Sequence, residues 1–219
     1  MCDARLFAPQ ITDLRQTSLV ADMGGEDNIP DLARAVLASA PAEFALAGLS
    51  MGGILAFEMW RQAPARISHL ALMDTTPYAD APDRSVMRVS QMARALDGQL
   101  EEIAKNELKP LYLAERNRDD TELLELLFRM AIEQGPDVFN RQSQALKERQ
   151  DSVSTLATID CPVTIICGRE DSLCPVAAHE FMASRIPAAR LVILNDCGHM
   201  ATLEQPTAVN RELRRLFEQ

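Results

Sequence analysis

Short apolar runs alternate with amphipathic stretches along most of this chain. Each run is too short for a stable helix and lacks the polar alternation of a half-exposed strand, which is typical of parallel strands covered on both faces. The runs lie at 17–22, 44–49, 67–73, 163–167 and 190–194. The pattern therefore predicts a sheet of short, buried strands joined by helices.

Amphipathic stretches follow the first two runs. One begins after a cap at Asp27 or Asn28, and its apolar residues share the spacing of one helix face: Ile29, Leu32, Ala33, Val36 and Leu37. The next covers about 51–62. Strands that alternate with helices favour an α/β fold with a mostly parallel, open sheet and helices on its flanks.

The pattern changes between residues 82 and 154, where helical spacing dominates and no strand run occurs. Gly98, Pro110, residues 117–120 and the pair at 135–136 divide this segment into roughly four predicted helices. The segment is therefore predicted to be an all-helical insertion.

The insertion suggests a division of the chain into a core and a cap. Residues 1–81 and 155–219 are predicted to form the sheet and its flanking helices, with 82–154 inserted as the helical cap. An excursion of this kind over the carboxyl edge of a parallel sheet can serve as a lid on a site. The alternative is that these helices only complete the core.

The most specific chemical motif is a G-x-S-x-G at residues 48–52, between a predicted strand and a predicted helix. This context places Ser50 on a strained turn that presents its Oγ above the sheet. Side chains at Gly48 or Gly52 are expected to collide with the neighbouring strand or helix. The N–H of Met51 begins the helix and is a candidate donor to an oxyanion. The alternatives are a glycine-rich packing turn and, less well matched, a phosphate loop, whose signatures are absent.

A serine on such a turn needs a histidine to remove its proton and a carboxylate to orient that histidine. Asp171 and His199 each follow a predicted strand. Ser50, Asp171 and His199 therefore fall at carboxyl ends of strands on one edge of one sheet, and they predict a catalytic triad. Glu170 and Asp196 are the alternative acids.

Metal and disulfide chemistry are not indicated. The three histidines include no pair at i, i+4 spacing, and the five cysteines include no C-x-x-C pair. His69 begins a predicted strand and His179 lies on a charged helix, so both are interpreted as structural or exposed. We expect no metal and no cofactor.

Composition limits the partners and the compartment. The 219 residues carry 22 Lys and Arg against 32 Asp and Glu, a formal net charge of −10, which argues against nucleic acid as a partner. Neither a leader with a cleavage site nor a run of about 18 uncharged apolar residues is present, so secretion and membrane insertion are not expected. The odd number of cysteines fits a reducing cytoplasm.

Several short segments carry a resemblance to a known family: 48–53, 72–75, 149–151, 161–163, 168–171, 196–200 and 204–206. The chain resembles the α/β-hydrolases, and most of all bacterial carboxylesterases of the pimeloyl-carrier-protein methyl esterase and 3-oxoadipate enol-lactonase kind. The resemblance implies Ser50 as nucleophile, His199 as base and Asp171 as orienting acid, with the cap over the acyl or alcohol pocket. It implies a carboxylic ester, lactone or thioester of a small acyl group as substrate, and hydrolysis of a carbon–carbon bond stays open as an alternative. Ser50 disfavours the dehalogenases and epoxide hydrolases of this fold, which carry aspartate there.

The N-terminus departs from the family pattern. Members carry a strand and a glycine-containing loop before a segment like residues 2–10, and that loop supplies a second oxyanion N–H. The strand is normally central, between 17–22 and 44–49, so backbone groups on both sides need other partners. We expect one of three arrangements: Met1 is internal to a longer chain, 17–22 and 44–49 pair directly, or a second subunit of a homo-oligomer fills the gap.

Two functions are therefore carried forward. The first is a serine hydrolase of small acyl esters, with activity reduced by the incomplete oxyanion hole. The second is a weak or inactive hydrolase-fold protein that binds a small acyl ligand.

Overall fold

A computed structural model of the chain describes residues 1–187 and 189–218. Its centre is a parallel sheet whose strands follow one another in chain order. The strands are β1 (Phe44–Leu49), β2 (Ile67–Met73), β3 (Val163–Gly168) and β4 (Arg190–Leu194). The predicted strands at these four positions, and the predicted parallel α/β sheet, are confirmed.

The sheet is covered on both faces, as the apolar runs predicted. Along β2, Leu70 and Leu72 contribute to one hydrophobic cluster, whereas Ala71 and Met73 contribute to another. Because successive side chains of a strand point to opposite faces, the two clusters lie on opposite sides of the sheet. All four side chains are fully buried.

Helices surround the sheet and join its strands. In the part of the chain that the structure describes, the α-helices are α1 (Ala8–Leu14), α2 (Ile29–Ser39), α3 (Met51–Gln62), α4 (Pro82–Arg94), α5 (Leu100–Ile103), α6 (Thr121–Glu148), α7 (Val153–Leu156), α8 (Val176–Arg185), α9 (Ala201–Glu204) and α10 (Pro206–Phe217). Asn28 is the N-cap of α2, because its side chain accepts a hydrogen bond from the N–H of Asp31. None of these helices is long and apolar enough to cross a membrane.

The segment between β2 and β3 is helical, from α4 through α7. The backbone bends where breaks were predicted, at Gly98 and Gly135, both of which have positive φ. Part of the segment has a small apolar cluster of its own, formed by Ala95, Leu100, Ile103 and Phe139. The division of the chain into a core and a cap remains a prediction.

The predicted strand at 17–22 is wrong. These residues have no regular secondary structure, and the Leu19 side chain is 68 % exposed. An extended segment forms a strand only when a neighbour supplies ladder hydrogen bonds. Among the described residues β1 pairs with β2 alone, and 17–22 has no strand beside it. The expectation that 17–22 and 44–49 pair directly is therefore wrong as well.

Candidate active site

The candidate site lies at the carboxyl edge of the sheet. Ser50 follows β1 directly, Asp171 lies in the loop after β3, and His199 lies in the loop after β4. Because the strands are parallel, these three loops emerge at the same edge. The structure brings the three predicted residues together there.

The turn at Ser50 is strained. Its φ of 54° and ψ of −114° lie outside the conformations that non-glycine residues usually adopt. The turn is held from β2, because the Ser50 N–H donates to the carbonyl of Met73 at 2.9 Å. On the helix side the Ser50 carbonyl accepts from the N–H groups of Gly53 and Ile54.

The structure confirms one of the two predicted crowded glycines of this turn and replaces the other. A Cβ built on Gly48 would lie 2.3 Å from the carbonyl oxygen of Gly52, so Gly48 has no room for a side chain. A Cβ on Gly52 itself would have no atom within 4 Å, so the predicted collision at Gly52 is wrong. The crowded position is Gly53, where a Cβ would lie 2.6 Å from the side chain of Thr75. Helix α3 thus approaches the end of β2 at Gly53.

His199 bridges the serine and the acid. Its Nε2 lies 2.9 Å from Ser50 Oγ, and its Nδ1 lies 2.8 Å from Asp171 Oδ2. His199 and Asp171 are both buried. With an acidic oxygen facing Nδ1, the ring proton is held on Nδ1, and Nε2 is left to accept the serine proton.

The second oxygen of Asp171 is also engaged. Asp171 Oδ1 accepts the N–H groups of Leu173 at 2.8 Å and Cys174 at 2.9 Å. These bonds fix the rotation of the carboxyl group, so that Oδ2 is aimed at His199.

The alternative acids have other partners. The Glu170 carboxylate accepts the N–H of Glu115 at 2.8 Å. Asp196 is exposed and lies 3.8 Å from the guanidinium of Arg116. Asp171 is therefore the carboxylate that faces the histidine.

Tyr112, which sequence reasoning missed, orients His199 from the helical segment. The N–H of His199 donates to the carbonyl of Tyr112 at 2.7 Å. The two rings are stacked, with centroids 6.0 Å apart. A backbone carbonyl leaves no signal in a sequence, so nothing in the pattern could have identified this contact.

Glu204 joins the histidine loop to the same segment. Its Oε1 accepts the N–H groups of Gly198 and Met200, and its Oε2 accepts the N–H of Ala114 and the side-chain amide of Asn117. The distances range from 2.8 to 3.2 Å. Glu204 belongs to a segment that carries the family resemblance, which was the one signal available for it.

Met51 is the first residue of α3. At that position no helical carbonyl lies four residues earlier to accept its N–H, and the helix dipole favours negative charge there. The N–H therefore belongs to the set of helix N-terminal donors that can bind an anion beside Ser50.

The remaining histidines have other roles. His179, which was predicted to be structural or exposed, is completely buried. It is therefore structural. Its Nε2 accepts the N–H of Thr75 at 3.0 Å, and its Nδ1 lies 3.2 Å from the carbonyl of Pro175. Burial lowers the pKa of His179. His69 is half-buried and lies beside Ser68.

In the described part of the chain, one group of side chains could hold a metal ion. Its members are Asp171, Cys174 and His199, whose donor atoms lie within 4.8 Å of one another. Burial raises the pKa of the Cys174 thiol, and the neighbouring Asp171 raises it further, which disfavours the thiolate that a metal would need. A metal would also have to displace the hydrogen bond between Asp171 and His199.

A cavity lies within the helical segment. It has a volume of about 620 Å³ and is lined by Lys105, Lys109, Pro110, Leu113, Arg118 and Leu124. Leu113 adjoins Tyr112, the residue that contacts His199. A second cavity, of about 540 Å³, lies near residues 2–4 and 20–25.

Comparison with known proteins identifies the family. Residues 27–206 match the family model for the alpha/beta hydrolase fold. The chain belongs to the α/β-hydrolase family. This confirms the resemblance stated from the sequence.

Two individual proteins are similar to this chain over most of its length. A pimeloyl-acyl-carrier-protein methyl ester esterase of Aromatoleum aromaticum is 27 % identical over 183 residues, which cover 78 % of this chain and 73 % of that protein. A thermophilic esterase from Thermogutta terrifontis, solved with malate bound, has a TM-score of 0.88 and 26 % identity and covers 99 % of this chain and 86 % of its own.

A third α/β-hydrolase is similar in fold. The enol-lactonase from Burkholderia xenovorans LB400 has a TM-score of 0.85 at 21 % identity, and the match covers 100 % of this chain and 88 % of the lactonase. Esterases and related hydrolases are thus the proteins to which this chain is similar, and they support a hydrolase.

Proposed function

We propose that this α/β-hydrolase cleaves carboxylic esters through an acyl-enzyme on Ser50. His199 is the general base, Asp171 orients it, and the N–H of Met51 stabilises the oxyanion. The observation that carries the proposal is the continuous chain of hydrogen-bond distances, 2.9 Å from Ser50 Oγ to His199 Nε2 and 2.8 Å from His199 Nδ1 to Asp171 Oδ2.

In the acylation half-reaction Ser50 Oγ attacks the ester carbonyl carbon while its proton moves to His199 Nε2. Negative charge develops on the carbonyl oxygen, where the N–H of Met51 donates to it. Asp171 stabilises the imidazolium and keeps its ring in place. The bond to the alcohol oxygen then breaks, and the alcohol leaves with the proton from His199.

Deacylation repeats these steps with water in place of the serine. His199 Nε2 removes a proton from water as the water oxygen attacks the acyl carbon. The bond to Ser50 Oγ breaks, Oγ takes the proton back from His199, and the carboxylic acid is released. Protein groups handle every proton, so this proposal includes no metal and no cofactor.

We propose a small acyl compound, whether ester, lactone or thioester, as the substrate. The names of the similar esterases support the ester, and the name of the enol-lactonase supports the lactone. Leu113 and Leu124 give an apolar part to the lining of the cavity in the helical segment, which supports an acyl compound as substrate. The proposed setting is the cytoplasm, in keeping with five free cysteines, with neither nucleic acid nor membrane as a partner.

The proposal is tested with an activity probe and simple esters. A fluorophosphonate probe transfers its phosphonyl group to an activated serine, with loss of fluoride. We expect the wild type to be labelled and to hydrolyse p-nitrophenyl esters, with a preference that depends on acyl length. Ser50→Ala should lose both activities by at least about 10³-fold. Ser18→Ala, which changes an exposed serine, is the matched control and should retain both.

Two results would contradict the proposal. A wild-type chain that is folded, by circular dichroism, yet neither labelled nor active on any ester would contradict the enzyme proposal and favour a ligand-binding role. Labelling that persists in Ser50→Ala would reject Ser50 as the nucleophile.

A further inference from the structure

Two adjacent residues at the end of β2 contact the segments that carry the candidate triad, although the mechanism above assigns them no role. These residues are Asp74 and Thr75, and they lie between the ends of β1 and β3. The loops after β1, β3 and β4 carry the three triad residues, and the turn after β2 is the one to which no function has been assigned.

Asp74 joins the loop of the acid to the loop of the base. Its Oδ1 accepts the N–H of Gly168 at 2.8 Å, and its Oδ2 accepts the N–H of Ala201 at 3.2 Å. Gly168 ends β3, three residues before Asp171, and Ala201 begins α9, two residues after His199. One carboxyl group thus sets the separation of the two loops.

Thr75 contacts the turn that carries Ser50, the third residue of the candidate triad. Its Oγ1 donates to the carbonyl of Ser50 at 2.7 Å, and its own N–H donates to Nε2 of His179 at 3.0 Å. Its side chain also lies against Gly53, at the start of α3. The hydroxyl therefore fixes the strained peptide of Ser50, and His179 holds Thr75 in place.

The carboxyl group of Asp74 is kept at a cost. It is completely buried, and no Lys or Arg forms an ion pair with it among the residues that the structure describes. Burial raises the pKa of Asp74 well above its usual range, and the nearby Asp171 carboxylate raises it further. Its φ of 43° adds backbone strain. A buried carboxyl group without a cationic partner destabilises the fold, so stability alone does not explain why Asp74 occupies this position.

We propose that Asp74 and Thr75 are positioning residues for ester hydrolysis. Together they fix the backbones that carry Ser50, Asp171 and His199. This inference rests on the proposed function, since it concerns the same site. Neither residue bonds to the reacting atoms, and each acts through hydrogen bonds to the turns that present them.

The expected effect is on the rate of chemistry. Displacement of a reacting group by about 1 Å can cost on the order of 10²-fold in rate. We expect Asp74→Asn, whose amide offers one acceptor in place of two, to lower kcat by about 10- to 100-fold with KM changed less than about twofold. Thr75→Val removes the bond to Ser50 and should act similarly, whereas Thr75→Ser keeps the hydroxyl and should restore most of the rate.

The control is Thr76→Val. Thr76 is the next residue, and its hydroxyl accepts only a long bond of 3.4 Å from the N–H of Tyr78. We expect its kcat and labelling rate to equal those of the wild type. Unfolding midpoints of all variants are measured alongside, and rates are expressed per folded molecule.

A spectroscopic readout separates this inference from the proposed function. The proton on His199 Nδ1, shared with Asp171, is expected to give a low-field resonance in the proton NMR spectrum. Isotopic labelling of the histidine imidazoles assigns that resonance. Asp74→Asn should shift or broaden that resonance, even if the wild type proves to hydrolyse no ester. If labelling fails in the wild type but the resonance responds to Asp74→Asn, the proposed function falls and the positioning role stands. If the variants lose stability while their rates and the resonance match the wild type, Asp74 and Thr75 are purely structural and the inference is overturned.

Discussion

The carboxyl edge of the sheet and the segment at 17–22 differ in how the backbone is held. At the edge each turn is tied to the neighbouring strand: the N–H of Ser50 donates to the carbonyl of Met73 in β2, and the N–H of Asp74 donates to the carbonyl of Ile166 in β3. In the 17–22 segment no strand lies alongside, and Leu19 projects into solvent. The backbone is therefore held most tightly where turns bond to neighbouring strands, and mutations in those turns should lower stability most.

The largest contrast in stability is expected within the turn at Ser50. Gly48→Ala would bring a Cβ to 2.3 Å from a backbone carbonyl, and we expect it to lower the free energy of unfolding by about 3 kcal/mol. Gly52→Ala, the matched variant, meets open space within a helix and should change stability by less than about 1 kcal/mol, in the stabilising direction. Urea unfolding measures both. Equal losses in the two variants would show that the crowding at Gly48 is not what restricts this turn.

A smaller, pH-dependent effect is expected from His179. Its Nε2 accepts the N–H of Thr75, which requires the neutral ring, and burial lowers its pKa below 6.5. As the pH falls below about 6.5 the unfolded chain takes up a proton before the folded chain does. The free energy of unfolding should therefore fall with decreasing pH, by at most about 1.4 kcal/mol per pH unit for this one proton.

The test compares two histidine variants between about pH 5 and pH 7. His179→Gln keeps an acceptor for Thr75 but does not titrate, so its stability should depend less on pH than that of the wild type. His69→Gln removes a half-buried histidine elsewhere and serves as the control for loss of an imidazole. Identical slopes in all three proteins would contradict a role for His179 in acid sensitivity.

The smallest effect is expected in the segment at 17–22. Leu19→Asn replaces a side chain that is 68 % exposed, so we expect the free energy of unfolding to change by less than about 0.5 kcal/mol. The unfolding curve and the labelling rate should overlay those of the wild type. A loss of more than about 1 kcal/mol would mean that this segment packs in solution, and the comparison drawn above would no longer hold.

The parts of the fold that could be predicted depend on local pattern. The strands at 44–49 and 67–73 are apolar runs that also have neighbours to pair with, and Asn28 is a local cap. The run at 17–22 has a short apolar stretch at residues 19–21. Whether such a stretch forms a strand depends on whether another strand lies beside it, which local pattern does not encode. Prediction failed where the outcome was set by a distant partner.

The candidate site follows the same rule. Ser50, Asp171 and His199 could be found because the serine motif is specific and the strand order fixes the edge at which the others emerge. The choice between Gly52 and Gly53 depended on where the Thr75 side chain lies, and the contact of His199 with Tyr112 is made by a backbone carbonyl that any residue would possess. Such contacts become visible only in three dimensions.

The bond between His199 and Tyr112 has a consequence for the timing of catalysis. Tyr112 belongs to the helical segment between β2 and β3, so any motion that carries this part of the segment away from the sheet breaks the bond and unstacks the two rings. A molecule opened in this way to admit its substrate then has a poorly oriented base. If substrate enters by such an opening and Ser50 reacts as proposed, closure is a separate first-order step that must precede acylation.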